Sequence, residues 1–461
     1  MVVFHLLPLR MRRVYLLALS YAFYATWGLG FAFLLLAVTI LAYAAAAQVA
    51  PNRSAPPSGL PWFFLSLAVL LGALFVFKYL PPISVWLGLD SRLAGLIAPL
   101  GISYYTFRLI SYVVDVRWGK MAPERSFVAF ALYVAFFPQI LSGPIQRAGD
   151  FLAQTEQPRR VDPALVRDGL RLILFGLFEK LVVADHLADV VSNVFDRASS
   201  MSGVAFALGA YAFAFQLYAD FSGLTDIALG MGQLFGIEGP PNFDNPFYAP
   251  NIQAFWRRWH MSLTTWLSEY LFTPLHMAFR SAGEMGLVAA IFINMVAVGI
   301  WHGAKWTFVA FGVLNGIYVA VSALTLRRRN RFFKTRTGLA KWRVVLAPLV
   351  TFHLVVLAFV LFRANSLGDA IYFFRHLIPT QGAPGSAWGL RRMGLSDQLG
   401  IVGFVGVPIM EAIHLARSSS RVRQAFELSP TVLRWAAYYA MVLLILLLGQ
   451  SESRKFIYAQ F

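Results

Sequence analysis

Two histidines hold the chemistry this chain is best equipped to do. His302 stands in Gly299-Ile300-Trp301-His302-Gly303-Ala304-Lys305-Trp306, and His260 in Phe255-Trp256-Arg257-Arg258-Trp259-His260-Met261-Ser262-Leu263. Neutral imidazole, with a reference pKa of about 6.5, can take a hydroxyl proton near neutral pH, which makes His302 the candidate general base, while His260 is expected to orient a donor or line the entrance to the site. His302 is the stronger candidate, because a titratable ring in apolar chain is costly unless it is paired or lines a cavity. The alternatives are a hydrogen-bonded packing histidine for His302 and an interfacial boundary residue for His260. Arg257, Arg258 and Arg147 carry guanidinium forks that suit phosphate oxygens, with plain cytoplasmic anchoring as the alternative for each. Asp220 and Asp226 sit in apolar surroundings and must be paired or wet, pairing being preferred to catalysis. Glu179 and Lys180 are assigned only an interface position. His186, His276, His353, His376 and His414 match no motif and default to structural roles. The chain has no cysteine, so disulfides, thiolate metal sites and a cysteine-borne acyl group are excluded; no metal site is expected.

The elements that position these residues are membrane helices. Of 461 residues, 58% are apolar and 13% charged, against about 25% charged in a soluble domain. Runs long enough to cross the bilayer recur at 14–27, 31–49, 62–80, 204–218, 287–300, 306–326, 344–362, 401–416 and 435–448. Weaker runs at 95–114, 127–140 and 170–191 are interrupted by Gly, Pro or polar residues. The expectation is an all-α polytopic membrane protein of roughly 10–13 transmembrane or re-entrant helices, organised as one membrane domain over 1–461. Arg10, Arg12 and Arg13 precede an apolar stretch without a convincing cleavage site, so that stretch is expected to stay as an anchor.

The net charge of +17 follows from positive-inside bias rather than nucleic-acid binding. Arg327, Arg328, Arg329, Arg331, Lys334, Arg336, Lys341 and Arg343 form a cluster with no acidic residue, expected to be a cytoplasmic loop. His302 then lies near the apex of a helical hairpin rising from the cytoplasm. Between 251 and 280, Trp256, Trp259, Leu263, Trp266, Leu267 and Tyr270 recur at three- and four-residue spacing, which predicts one amphipathic helix along the interface. The Pro- and Asn-rich stretch 239–246 is a loop, and 53–61 an exposed connection.

Four further stretches depart from lipid-facing helix: Pro99-Leu100-Gly101-Ile102-Ser103-Tyr104-Tyr105-Thr106-Phe107, Phe137-Pro138-Gln139-Ile140-Leu141-Ser142-Gly143-Pro144-Ile145-Gln146-Arg147, Gln216-Leu217-Tyr218-Ala219-Asp220-Phe221-Ser222-Gly223-Leu224-Thr225-Asp226, and the His260 stretch. With Trp301-His302-Gly303, and in this order, they resemble the membrane-bound O-acyltransferase superfamily, in its bacterial alginate O-acetyltransferase branch. The resemblance runs from about Leu7 to the C-terminal Phe456-Ile457-Tyr458-Ala459-Gln460-Phe461.

That resemblance implies helices around a central tunnel, where a cytoplasmic acyl donor meets an acceptor from the other face. It makes His302 the catalytic residue and His260 a second functionally required histidine. It implies acetyl-CoA as donor substrate with no permanently bound cofactor, with Arg257, Arg258 and Arg147 as its candidate phosphate contacts. It also implies the bacterial cytoplasmic (inner) membrane, and a polysaccharide acceptor completed by a separate SGNH-type partner, since this chain has no Gly-x-Ser-x-Gly elbow. D-alanyl transfer from a carrier-protein thioester is the alternative within the superfamily, and a non-enzymatic glycan or lipid export subunit the alternative outside it. The chain departs from the pattern at Lys305, where relatives carry a small polar residue, and at Ala219, where phenylalanine is commoner. The Lys305 ammonium could oppose protonation of His302 or attract an anionic acceptor; snorkelling to the interface is preferred.

Overall fold

The computed structural model describes residues 2–51, 59–156, 162–198, 201, 203–334, 337–378, 398–450, 454, 456 and 457. Among them the chain is all-helical. Among the described residues, eight helices are long and apolar enough to cross a membrane: Leu29–Val49, Leu60–Leu87, Val204–Leu234, Arg280–His302, Trp306–Lys334, Lys341–Arg363, Gly400–Ser418 and Thr431–Leu448. These take up every strong apolar run except the first, which forms the 17-residue helix Leu9–Ala25. Most of the connection 53–61 lies outside the described residues, as do Arg336 and residues 458–461.

The interrupted runs become broken helices for local reasons. The run 127–140 divides into Phe127–Ala135 and Phe137–Ile140. Pro138 cannot donate to the helix ladder and its ring clashes with the preceding turn, so Phe136 leaves helical geometry with ψ 105°. The run 170–191 becomes Pro163–Phe178, a π-helical turn Glu179–Ala184, and Asp185–Phe195. The basic stretch, expected as a loop, is instead largely helix. Trp306–Lys334 carries its spiral through Arg327–Arg331, and Arg329 donates back to the Ser322 carbonyl at 3.0 Å. Arginine and lysine propagate a helix well, and at a span's end their heads still reach water.

The described residues divide into two compact units, those within Met1–Ile173 and Thr225–Pro241, and those within Leu174–Leu224 and Asn242–Gln460. In the first, Ile102–Arg117 is the central helix, with every side chain from Ile102 to Val116 buried. Arg108 on it is 1% exposed. It donates to the Tyr133 carbonyl at 3.0 Å, Gln139 Oε1 at 2.7 Å and the Pro144 carbonyl at 2.8 Å. One buried guanidinium thus locks together the two motif stretches of this unit, its charge dispersed over oxygen dipoles.

In the second unit Gly283–His302 and Trp306–Lys334 form the hairpin that the sequence predicts. A Cβ on Gly299 would meet the Phe308 carbonyl at 2.2 Å, and one on Gly312 the Met295 carbonyl at 2.6 Å. The two glycines allow the helices to pack backbone to backbone, which fixes the depth of His302 relative to its partner helix.

Candidate active site

His302 is the last residue of its helix, and Gly303 ends the spiral at φ 155°, ψ 177°, a region essentially reserved for glycine. A Cβ there would also meet the Phe308 ring at 3.1 Å. The imidazole is 4% exposed. Aromatic rings surround it: Phe362 at 4.7 Å, Trp301 at 4.8 Å, Phe308 at 6.0 Å and Phe311 at 6.3 Å between centroids.

His260 is reached by a different local device. The single interfacial helix predicted over 251–280 does not form. Asn251 caps a short helix, Ile252–Trp256, by accepting the Ala254 N–H at 2.9 Å. The chain then turns through Arg257–His260 and restarts as Met261–Leu267, continuing through a π turn, Ser268–Phe272, into Thr273–Ala278. His260 sits at φ 45°, ψ 53°, a left-handed conformation uncommon for a residue with a side chain. The loop before it holds it there: Met261 N–H donates to the Asn242 carbonyl at 2.9 Å, Ser262 N–H to Asn242 Oδ1 at 3.2 Å, and Asp244 N–H to the Arg258 carbonyl at 3.1 Å. The apolar face of this region packs into the protein, not along an interface. Trp256, Trp259, Leu263 and Trp266 are all buried, and Trp256 Nε1–H donates to Asn315 Oδ1 on the hairpin at 3.2 Å. Tertiary contacts thus override the amphipathic period.

The turn brings the two histidines to one place. The Trp301 indole contacts His260 at 5.3 Å and His302 at 4.8 Å, so both imidazoles pack on one ring. Phe221 closes on His260 edge-on at 4.5 Å. Behind them Trp259, Phe243, Phe247, Phe255 and Phe359 form a continuous aromatic layer. Burial holds the His260 imidazole far below its ordinary 6.5, at about 3, so it is neutral across the physiological range. A neutral ring can donate at one nitrogen and accept at the other.

The other predicted site residues divide. Arg258 is half-buried and Arg257 exposed, both in the turn that carries His260. Arg147 is half-buried and belongs to the first unit. Lys305 is exposed.

A second polar centre escaped the sequence reading, which put Glu179 and Lys180 at an interface. Both are deeply buried, at 0% and 2% exposure. Lys180 Nζ lies 2.7 Å from Asp185 Oδ1 and 2.9 Å from Asp220 Oδ1. The π turn brings residues five apart onto one face, which is how Lys180 meets Asp185. The expectation that Asp220 is paired is met by Lys180 and by the Ile457 N–H, which donates to Oδ2 at 2.7 Å. Glu179 Oε1 lies 3.0 Å from His414 Nε2, so that histidine is structural in the sense expected but is tied to a buried carboxylate. The signal was available: opposite charges at 179, 180, 185 and 220 inside apolar runs had to find one another.

The family model described as MBOAT, membrane-bound O-acyltransferase, matches residues 19–361. The chain is 34% identical over 380 residues to a probable alginate O-acetylase of Azotobacter vinelandii, covering 80% of this chain and 72% of that one. It is 31% identical over 404 residues to a peptidoglycan O-acetyltransferase of Helicobacter pylori, covering 80% and 74%. It is also 32% identical over 282 residues to a teichoic acid D-alanyltransferase of Streptococcus thermophilus, covering 57% and 68%.

Proposed function

Because the chain belongs to the membrane-bound O-acyltransferase family and is a multi-pass membrane acyltransferase, we propose that it moves acetyl groups from cytoplasmic acetyl-CoA toward hydroxyls of an extracytoplasmic polysaccharide. The placement of two buried imidazoles against one indole carries this reading. His302 takes the proton of the accepting hydroxyl as its oxygen attacks the thioester carbonyl. The carbon–sulfur bond then breaks, and the leaving thiolate recovers a proton. Neutral His260 hydrogen-bonds and orients the donor without adding charge to an apolar wall. Arg257 and Arg258, at the same turn, meet the donor's phosphates, with Arg147 a further candidate contact. The protein works in the bacterial cytoplasmic membrane, and a separate SGNH-type protein completes transfer to the polymer.

The likeness to alginate and peptidoglycan O-acetyltransferases over four-fifths of the chain supports acetyl over D-alanyl transfer, since the teichoic acid relative aligns with a smaller share. The test uses inside-out membrane vesicles from the native host, with labelled acetyl-CoA outside. Label should leave the donor and enter the polymer fraction; label that stays on acetyl-CoA in the presence of acceptor and partner sinks the acetyl reading. Label moving only from a D-alanyl carrier protein replaces it with the D-alanyl one.

A further inference from the structure

We propose that Glu179, His414 and Tyr218 form an acid–imidazole–phenol chain, joined by a close carboxylate–imidazole contact and a hydrogen bond, that positions the aromatic wall of the histidine site. His414 and Tyr218 act as positioning residues. The proposal rests on the reading of the His260–His302 pair as the active site.

His414 projects from Gln398–Ser418, and its two ring nitrogens face different elements. Nε2 lies 3.0 Å from Glu179 Oε1 on the π turn, and Nδ1 lies 3.1 Å from the Tyr218 hydroxyl on Val204–Leu234. With the Glu179 carboxylate 3.0 Å from Nε2, a neutral imidazole keeps its proton on that nitrogen and accepts the Tyr218 O–H at Nδ1, so the carboxylate's charge sets the tautomer and the tautomer sets the phenol's rotation. Ser222, one turn beyond Tyr218, stands 3.5 Å from Nε2. The chain is dry: Glu179 is 0% and Tyr218 1% exposed, and the His414 side chain is 10% exposed. Gly223 is why these helices meet so closely, since a Cβ there would strike the Gly176 carbonyl at 2.7 Å.

Tyr218 is where this polar chain meets the active-site wall. Its ring packs on Phe247 at 5.2 Å, Phe243 at 5.3 Å and Trp259 at 6.0 Å. One turn further along the same helix face, Phe221 contacts His260 at 4.5 Å. The rotation and height of this helix therefore decide where His260 and Trp259 stand. If packing alone set that height, a phenylalanine at 218 would do as well; the hydroxyl is needed only where the phenol is held by His414. A shift of about 1 Å in such a wall is enough to misplace reacting groups.

Full-length Tyr218→Phe, His414→Phe, His414→Gln, the Tyr218→Phe/His414→Phe double variant and His302→Ala are compared in the same inside-out host vesicles with labelled acetyl-CoA. Each is normalised to its abundance as monodisperse protein in detergent. Tyr218→Phe and His414→Phe should each lower kcat by roughly tenfold with the acetyl-CoA KM unchanged within about twofold. The double variant should lose no more than either single one, because both cut the same chain. His414→Gln, which keeps a donor and an acceptor, should recover part of the loss. If His302→Ala is inactive while Tyr218→Phe keeps the wild-type kcat, the positioning role is overturned and the active-site reading stands. Additive losses in the double variant overturn the chain as a unit. If His302→Ala transfers acetyl like wild type, the active-site reading falls and this proposal with it. Should His414→Phe fail to accumulate, Tyr218→Phe and His414→Gln decide alone.

Discussion

Two histidines of one structural unit, His302 buried and His414 half-buried, show how surroundings decide what an imidazole does. His302 sits among Trp301, Phe308, Phe311 and Phe362 at a helix end, while His414 is clasped by Glu179 and Tyr218. In the proposed mechanism the ring within the aromatic pocket is the base that serves a visiting hydroxyl. A carboxylate at 3.0 Å instead commits the ring to holding structure. The rings packed around the first imidazole and the carboxylate beside the second therefore separate the two roles.

Breaking the first region should cost activity. His302→Ala should lower transfer by roughly 10²–10⁴-fold, the usual contribution of a positioned base, with melting in detergent nearly unchanged. Vesicle assay and thermal melt check both halves, and a large fall in melting temperature would reassign His302 to packing.

Breaking the second should cost stability. Lys180→Met strands Asp185 and Asp220 around an apolar tip, and removing one partner from a buried ion group costs about 3–5 kcal/mol. Accumulation of folded protein should collapse, and Lys180→Arg, which keeps the charge, should be milder. Monodisperse yield and melting temperature read this; a Lys180→Met protein of wild-type stability would mean the cluster is wet.

Acidity sharpens the contrast through His260. Its folded pKa of about 3 lies below the ordinary 6.5, so between those values the unfolded chain binds a proton that the folded chain refuses. Stability contributed by the neutral ring is therefore complete above about pH 6.5, and it falls as pH drops toward about 3. Melting profiles of wild type and His260→Gln should diverge over that window, with the variant less acid-sensitive. Parallel profiles would place the ring in contact with water.

The smallest effect is expected at Lys305, exposed although three residues from His302. Lys305→Asn should leave kcat and KM within about twofold, because an exposed ammonium is screened by solvent. A larger change in KM for an anionic acceptor would assign it a binding role.

The polytopic all-helical class, the hairpin carrying His302 and the acyltransferase family were all readable from residue order. Apolar runs, glycines and short motifs are local properties, and a span of about 20 apolar residues has few alternatives to a helix in lipid. The interfacial helix over 251–280 misread because spacing records which residues are apolar but not what covers them. Its period holds, yet the clamp from Asn242 and Asp244 breaks the spiral at His260 and turns its face inward. Nor could spacing foresee that Lys180 meets Asp220 or that Glu179 meets His414. Such pairings depend on helix crossings permitted by residues like Gly223, and on a π turn that shifts one helix face. By itself the sequence determined which groups were too polar to be buried alone; only the tertiary structure decided their partners, because partnership between distant residues is a matter of helix packing, which no single segment encodes.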